Sequence, residues 1–240
     1  MYTLILGLIA GILGALFSYY IVYESIVLAS IVFVLIVLAF NFFAGRYFTG
    51  KITDIFNSTE KDIKVGKYEN AIEKIKGAYK YKNWQFLVKQ QIDSQIGVIL
   101  YSNKKFQEAL PYLEKSPAKN YMAMSMLAAY YYKLKDYKKV YEIMDKTSKS
   151  NKKDCFTQVL YAYFLSETGK VDDAIAVLSK AEKKLSGDER LQLASDALKN
   201  KKKIKMQSFG VLWLQLHLTK TPDGVKQYQT LIGRQKITRR

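Results

Sequence analysis

From Tyr2 to Ala44 the chain is almost wholly apolar, and this stretch limits what it can fold into more than any other feature. As one straight helix it would measure about 65 Å at 1.5 Å per residue. The hydrocarbon core of a bilayer is only ~30 Å thick, so one crossing cannot absorb the stretch and two can. The first span is expected at Thr3–Tyr20 and the second at Ser25–Ala44. The turn between them falls at Ile21–Glu24, where the stretch carries its one charge, beside Tyr19, Tyr20 and Tyr23. Tyrosine rings settle at membrane interfaces; Phe42, Phe43, Tyr47 and Phe48 mark the opposite one. A cleaved signal peptide needs a basic start, a shorter apolar run and a small-residue cleavage site. Met1-Tyr2-Thr3-Leu4 has no positive charge and the run continues far too long, which argues against cleavage.

Charge sets the orientation. All 38 basic residues follow Gly45, with every acid except Glu24, so the remainder carries +18 formal charges. The positive-inside rule then puts Arg46 and Lys51, and with two spans the N-terminus as well, in the cytoplasm. The expected product is an integral membrane protein, with a bacterial inner membrane as the expected location. Gly7, Gly11 and Gly14, with Ala10 and Ala15, let the first span approach another helix closely, either in its own hairpin or in a second copy.

Behind the apolar stretch four segments look alike: Gly66-Lys-Tyr-Glu-Asn-Ala71, Lys104-Lys-Phe-Gln-Glu-Ala109, Lys135-Asp-Tyr-Lys-Lys-Val140 and Gly169-Lys-Val-Asp-Asp-Ala174. Aligned on Ala71, Ala109, Val140 and Ala174 they recur at spacings of 38, 31 and 34. Each reads as a turn followed by a helix that starts at Tyr68, Phe106, Tyr137 or Val171, where the starting residue plugs the gap between two helices. The small residue allows close approach. Ile75, Leu113, Met144 and Leu178, four positions further on, continue a buried stripe at helical spacing. Preceding helices supply the complementary face: Ile92, Ile96, Gly97, Ile99 and Leu100 in the second unit, Met124, Leu127, Ala128 and Tyr131 in the third, Leu160, Tyr161, Ala162 and Leu165 in the fourth.

With this signature and a mean period of about 34, the region Ile52–Ser186 resembles the tetratricopeptide-repeat family. The resemblance implies an α-solenoid of antiparallel helix pairs that docks a peptide or helix on a concave groove lined by first helices. The sequence departs from the family pattern at Val140, at Lys104 and Lys135 where glycine is usual, and at Thr59 and Asp62 in the first unit. The longest spacing implies an extended linker around Tyr81–Trp84. Asp188–Asn200, with Leu191, Leu193, Ala194, Ala197 and Leu198, reads as a capping helix. The expected fold is all-α: a transmembrane hairpin over 1–45, a solenoid of about four helix pairs with its cap over 46–200, and a basic C-terminal extension over 201–240.

Some relatives use a lysine and asparagine clamp for a terminal carboxylate. The matching positions here are Ser94, Val98, Ser125 and Ala129, so that clamp is missing. The groove instead carries Tyr101, Tyr132, Phe156 and Tyr163, with Gln91, Met122 and Lys133 beside them. Aromatic residues with a polar tip are common interface anchors, so the expected ligand is an apolar or aromatic peptide. The alternative is that these rings simply fill the inner layer of the solenoid.

Ile204–Leu218 stands apart. Leu212, Leu214, Leu216 and Leu218 alternate with other residues, a strand-like pattern, too short to span a bilayer. A strand needs an edge to pair with, which leaves docking onto its own repeats, a second copy or the membrane open. Thr221-Pro222-Asp223 is a helix start with Val225, Tyr228 and Leu231 behind it. From Lys199 to Arg240 there are 11 basic residues against one acid, Asp223. Such a cluster attracts anionic lipid; no recognition motif supports nucleic acid.

Cys155 is the single cysteine and His217 the single histidine. Neither has neighbours of a metal site, and Cys155 reads as a small buried hydrophobe. There is no phosphate loop and no nucleophile–base set. The reading is a non-enzymatic, cofactor-free membrane-anchored adaptor for a protein partner. Open alternatives are a permanent subunit or assembly factor of a larger membrane complex, a homo-oligomer through the hairpin or C-terminal segment, and a basic lipid or nucleic-acid binder.

Overall fold

The structure, a computed structural model, describes residues 1–22 and 25–219. The expected turn residues Tyr23 and Glu24, and the helix expected from Thr221 with the chain to Arg240, lie outside the described residues. Eleven α-helices and no strand occur among the described residues. The chain divides into two compact units, Met1–Ile99 and Leu100–Arg240.

In the first unit, α1 (Tyr2–Phe17) ends in a π-type turn, Ser18–Val22, and α2 runs from Ile26 to Lys64. Ser25 caps α2, its hydroxyl accepting from the Leu28 N–H at 3.5 Å. Both helices are long and apolar enough to cross a membrane. They pack antiparallel, and the small residues of α1 set the distance. A side chain at Gly7 would meet Asn41 at 2.5 Å and Phe40 at 3.2 Å; one at Gly11 would meet Val37 at 2.6 Å and Phe33 at 2.9 Å. Of the two expected uses of the glycines, the structure shows packing within the hairpin. Asn41, the polar residue at this contact, donates its amide to the Val37 carbonyl at 2.9 Å and so satisfies itself along its own helix.

The second apolar run ends near Ala44, but the helix that carries it does not. Its helix continues without a break and becomes the first helix of the first repeat, burying Ile52 and Thr59. Thr59 returns its hydroxyl to the Phe56 carbonyl at 2.6 Å, and Asp62 pairs with Lys74 at 2.6 Å. The two residues that depart from the family pattern are thus satisfied locally. Gly66, at φ 82°, reverses the chain into α3 (Tyr68–Lys76), which buries Ala71 and Ile75 against α2. The long linker is a 3₁₀ turn, Gly77–Tyr81, and a loop that ends at α4 (Val88–Ser102).

The second unit contains α5 (Phe106–Leu113), α6 (Tyr121–Lys133), α7 (Tyr137–Ser150), α8 (Cys155–Glu167), α9 (Val171–Glu182) and α10 (Glu189–Lys199). Each packs on the next in chain order. Asn120, Asp136, Asp154 and Asp188 cap α6, α7, α8 and α10 with side-chain oxygens on first-turn N–H groups. Pro111 lies inside α5, where it cannot donate to the helix. α5 stops after 8 residues, in keeping with the short spacing of 31 that follows.

The four signatures share one conformation. Gly66, Lys104, Lys135 and Gly169 all sit in the left-handed region, at φ 82°, 62°, 60° and 86°. The second helices start at Tyr68, Phe106, Tyr137 and Val171 as expected. Ala71, Ala109, Val140 and Ala174 are buried, as are Ile75, Leu113, Met144 and Leu178. The starting residues differ from expectation. Tyr137 and Val171 are 37% and 40% exposed, so they flank the helix junction instead of plugging it. The cap is α10, which buries Leu191, Ala194 and Leu198 and leaves Leu193 outside.

The strand expected over Leu212–Leu218 does not form. Met206–Phe209 is a 3₁₀ turn and Val211–Leu214 a single helical turn, α11. The physical reason is the identity of the buried residues. Met206, Phe209, Trp213 and Leu216 are all buried, spaced three, four and three apart, while Leu212, Leu214 and Leu218 are only partly covered. The alternating leucines hid a helical stripe, and among the described residues no sheet edge is available to pair a strand.

Candidate functional site

The first helices of the second unit offer an aromatic face, and the chain's own residues 203–217 lie across it. Lys203 pairs with Glu167 at the end of α8 at 3.3 Å. Phe209 meets Phe156, at the start of α8, edge to face with ring centres 5.3 Å apart, and the Arg190 guanidinium of α10 lies 5.1 Å over the Phe209 ring. Trp213 packs edge to face on Tyr163 at 5.1 Å. Tyr101, at the end of α4, donates its hydroxyl to the Leu216 carbonyl at 3.0 Å. The His217 ring lies 5.9 Å from Tyr101 and 5.7 Å from Phe106. Edge-to-face rings and a buried phenol–carbonyl bond hold the segment against the repeats.

The electrostatics follow from burial. Desolvation raises the Tyr101 phenol far above its ordinary value and the Tyr163 phenol to about 12, with Glu167 adding to the latter. Both therefore stay neutral and able to donate. The Lys133 ammonium sits 4.2 Å over the Phe106 ring and 5.5 Å over Tyr101. Partial desolvation pulls its amine down to about 8. Desolvation, then the nearby charges of Lys133 and Lys104, lower His217, and a hydrogen bond with the Ser102 backbone partly offsets them. The indole N–H of Trp213, Nε2 of His217 and the hydroxyl of Ser125 are buried without a partner.

The expected site residues separate into three groups. Tyr101, Phe156 and Tyr163 contact the C-terminal segment, and Lys133 lies beside it. Tyr101 and Phe156 are wholly buried, so the groove residues are not an open surface in this structure. Tyr132 is half-buried and packs within the repeats on Phe164 at 4.9 Å and Tyr137 at 5.8 Å. Met122 is half-buried at the start of α6; Gln91 is exposed in the first compact unit. Phe209, Trp213, Leu216 and Arg190 are not among the expected groove residues, although docking of the C-terminal segment onto its own repeats is one of the possibilities the sequence leaves open. The three-four-three spacing of the apolar residues after Lys205 was the signal that could have found the first three.

The model of the family described as anaphase-promoting complex, cyclosome, subunit 3 matches residues 102–181. These are the residues of the left-handed turns and helix pairs from α5 to α9. The repeats are of the tetratricopeptide type. No curated protein matches the chain. Among solved structures, a MamA RS-1 double mutant superposes with a TM-score of 0.47 at 16% identity, covering 70% of this chain and 93% of that one. A second, MamA MSR-1, gives 0.43 at 15% identity, covering 77% and 98%. These superpositions are loose. The assignment of the tetratricopeptide repeats stands on the recurring turn geometry and the matched family.

Tetratricopeptide helix pairs are used as protein-docking scaffolds. Among the described residues no cluster of His, Cys, Asp or Glu could hold a metal ion. Cys155 is buried, and burial together with its contact to Asp188 lifts its thiol to about 12, which keeps it protonated and unreactive.

Proposed function

We propose that this chain is a membrane-tethered, non-enzymatic tetratricopeptide adaptor. It faces the cytoplasm and presents the first-helix face of its second unit to a protein segment. One observation carries this reading: that face already holds a short aromatic segment, residues 203–217, through Phe156, Tyr163 and Tyr101. The partner segment in this reading is of the same kind: a helical turn with apolar residues spaced like Phe209, Trp213 and Leu216, flanked by lysine. The apolar hairpin supports tethering, and the basic residues that follow it support the cytoplasmic orientation. Tethering would raise the local concentration of a partner and turn weak contacts into lasting ones.

Photo-crosslinking tests this in cells, with a benzophenone amino acid at Tyr163 or Phe156. Two products are expected: an internal adduct with residues 209–213, and an intermolecular adduct with a protein segment of the same aromatic spacing. Replacing Trp213 with alanine should increase the second at the expense of the first. Internal adducts alone, in wild type and variant alike, would make residues 203–217 a permanent strap, and the docking reading of this face would fail. Alkaline carbonate extraction tests the tether; release of the chain into the soluble fraction would refute it.

A further inference from the structure

The linker between α3 and α4 is tied to the mouth of the apolar hairpin, and both its ties and its exposed tip point to a bilayer. The Asn83 carbonyl accepts from the Met1 amino group and from the Tyr2 N–H at 3.0 Å. The Trp84 carbonyl accepts from the Thr3 N–H at 3.3 Å and from its hydroxyl at 2.7 Å. These N–H groups are the unpaired donors of the first turn of α1. At the edge of a hydrocarbon layer they have little water to turn to, and the loop satisfies them. On the other helix Thr49 donates to Gln85 at 3.4 Å. The Trp84 ring stacks on Phe48 at 4.5 Å and meets Tyr2 at 5.5 Å. Residues 82–85 are therefore held at the level of residues 1–3 of α1 and 45–49 of α2, where the apolar surface ends and the first basic residues begin.

At that level the loop exposes Phe86, which is 70% accessible, beside Leu87. Phe43 and Tyr47 of α2 are comparably exposed at the same height. Lys80 and Lys82 precede the tip in the same loop, both exposed, with the Lys80 ammonium 5.0 Å over the Tyr81 ring, in a chain with an excess of positive charge. A large apolar side chain next to lysines, fixed at the end of a hydrophobic hairpin, matches an anionic membrane interface: rings in the acyl–headgroup boundary and ammonium groups among the headgroups. We infer that the Lys80–Leu87 loop is a third membrane contact, with Phe86 inserted shallowly and Lys80 and Lys82 on anionic lipid. This rests on the membrane reading of the hairpin. It adds a further point of membrane contact, within the first unit, to that of the hairpin.

Spin labels on the full chain test it. Cys155 is replaced by alanine, and single cysteines are introduced as Phe86→Cys, as Leu38→Cys on the outer face of α2, and as Leu193→Cys on α10. Each is labelled and reconstituted into phosphatidylglycerol/phosphatidylcholine vesicles, and its collision rates with oxygen and with a water-soluble nickel chelate are measured. The label at Leu38 should be shielded from nickel and the label at Leu193 open to it. At Phe86 nickel access should fall several-fold below that at Leu193, with oxygen access raised. Replacing Lys80 and Lys82 with glutamine should restore part of that access without moving the label at Leu38. If the label at Phe86 collides with nickel as freely as the one at Leu193 while Leu38 stays shielded, the loop is not a membrane contact although the hairpin is. If Leu38 is itself open to nickel, the hairpin reading falls and takes the loop with it. Unchanged access in the glutamine double variant would overturn the role given to the two lysines.

Discussion

The chain's two apolar stretches, Tyr2–Ala44 and Ile204–Leu218, end in opposite environments. In the hairpin only the narrow faces around Gly7, Gly11 and Gly14 are covered, and Leu13 and Leu38 are each 62% exposed. In the C-terminal segment Met206, Phe209, Trp213 and Leu216 are each 6% exposed or less. Length separates them. Two long helices that are apolar all round have more hydrophobic surface than they can cover on each other, and the remainder is the surface that the proposed bilayer contact would cover. The short segment has one apolar stripe, and a single aromatic face of the repeats covers it.

The sharpest way to break the comparison is at Trp213. Trp213→Ala should cost about 3–5 kcal/mol of segment docking. It should be read as rapid tryptic cleavage across Lys201–Lys205 in a chain whose repeats remain helical by circular dichroism. Trp213→Phe should cost much less, because the indole N–H it removes has no partner. On the hairpin side, Gly11→Leu forces a branched side chain against Val37 and Phe33. An overpacking loss of about 1–3 kcal/mol is expected, seen as a lower unfolding temperature in micelles with the repeats' transition unmoved.

The repeat turns give a smaller, two-signed effect. Nothing lies within 4 Å of a side chain added at Gly169, so Gly169→Ala should cost only the left-handed backbone penalty, about 1 kcal/mol. Lys135→Gly, at φ 60°, should stabilise by a similar amount. Paired denaturant melts with unchanged slopes would check both. The smallest effect is on pH. The pKa of His217 is lowered when the segment is docked, so the released segment binds the proton more readily. Docking should therefore weaken as pH falls through the ordinary histidine value, near 6.5, toward the lowered one, and be fully present above that window. His217→Gln should flatten this dependence in the same cleavage assay.

The helix pairs were legible because their signal is local. Each signature carries its own turn, its own helix start and, three positions after that start, an alanine or in one case a valine, and the buried residues fall where a 3.6 period puts them. The groove was legible in composition but not in state. Tyr101, Phe156 and Tyr163 were found as aromatic positions on the first helices, yet their occupant lies some 50 to 115 residues further along the chain, at a distance no periodicity reports. Tyr132 was placed among them by its type, and its contacts with Phe164 and Tyr137 are a matter of packing alone.

By itself the sequence determined that the chain is helical, that the repeats turn at Gly66, Lys104, Lys135 and Gly169, and that the first stretch has too much apolar surface for any helix pair to bury. These follow from residue chemistry over a few turns of helix. Only the tertiary structure decided that Asn83 and Trp84 close the N-terminus of α1, and that Phe209, Trp213 and Leu216 cover the aromatic face. Both depend on which distant groups meet: N–H donors without a partner at a helix end in one case, and a stripe and a face of matching shape in the other.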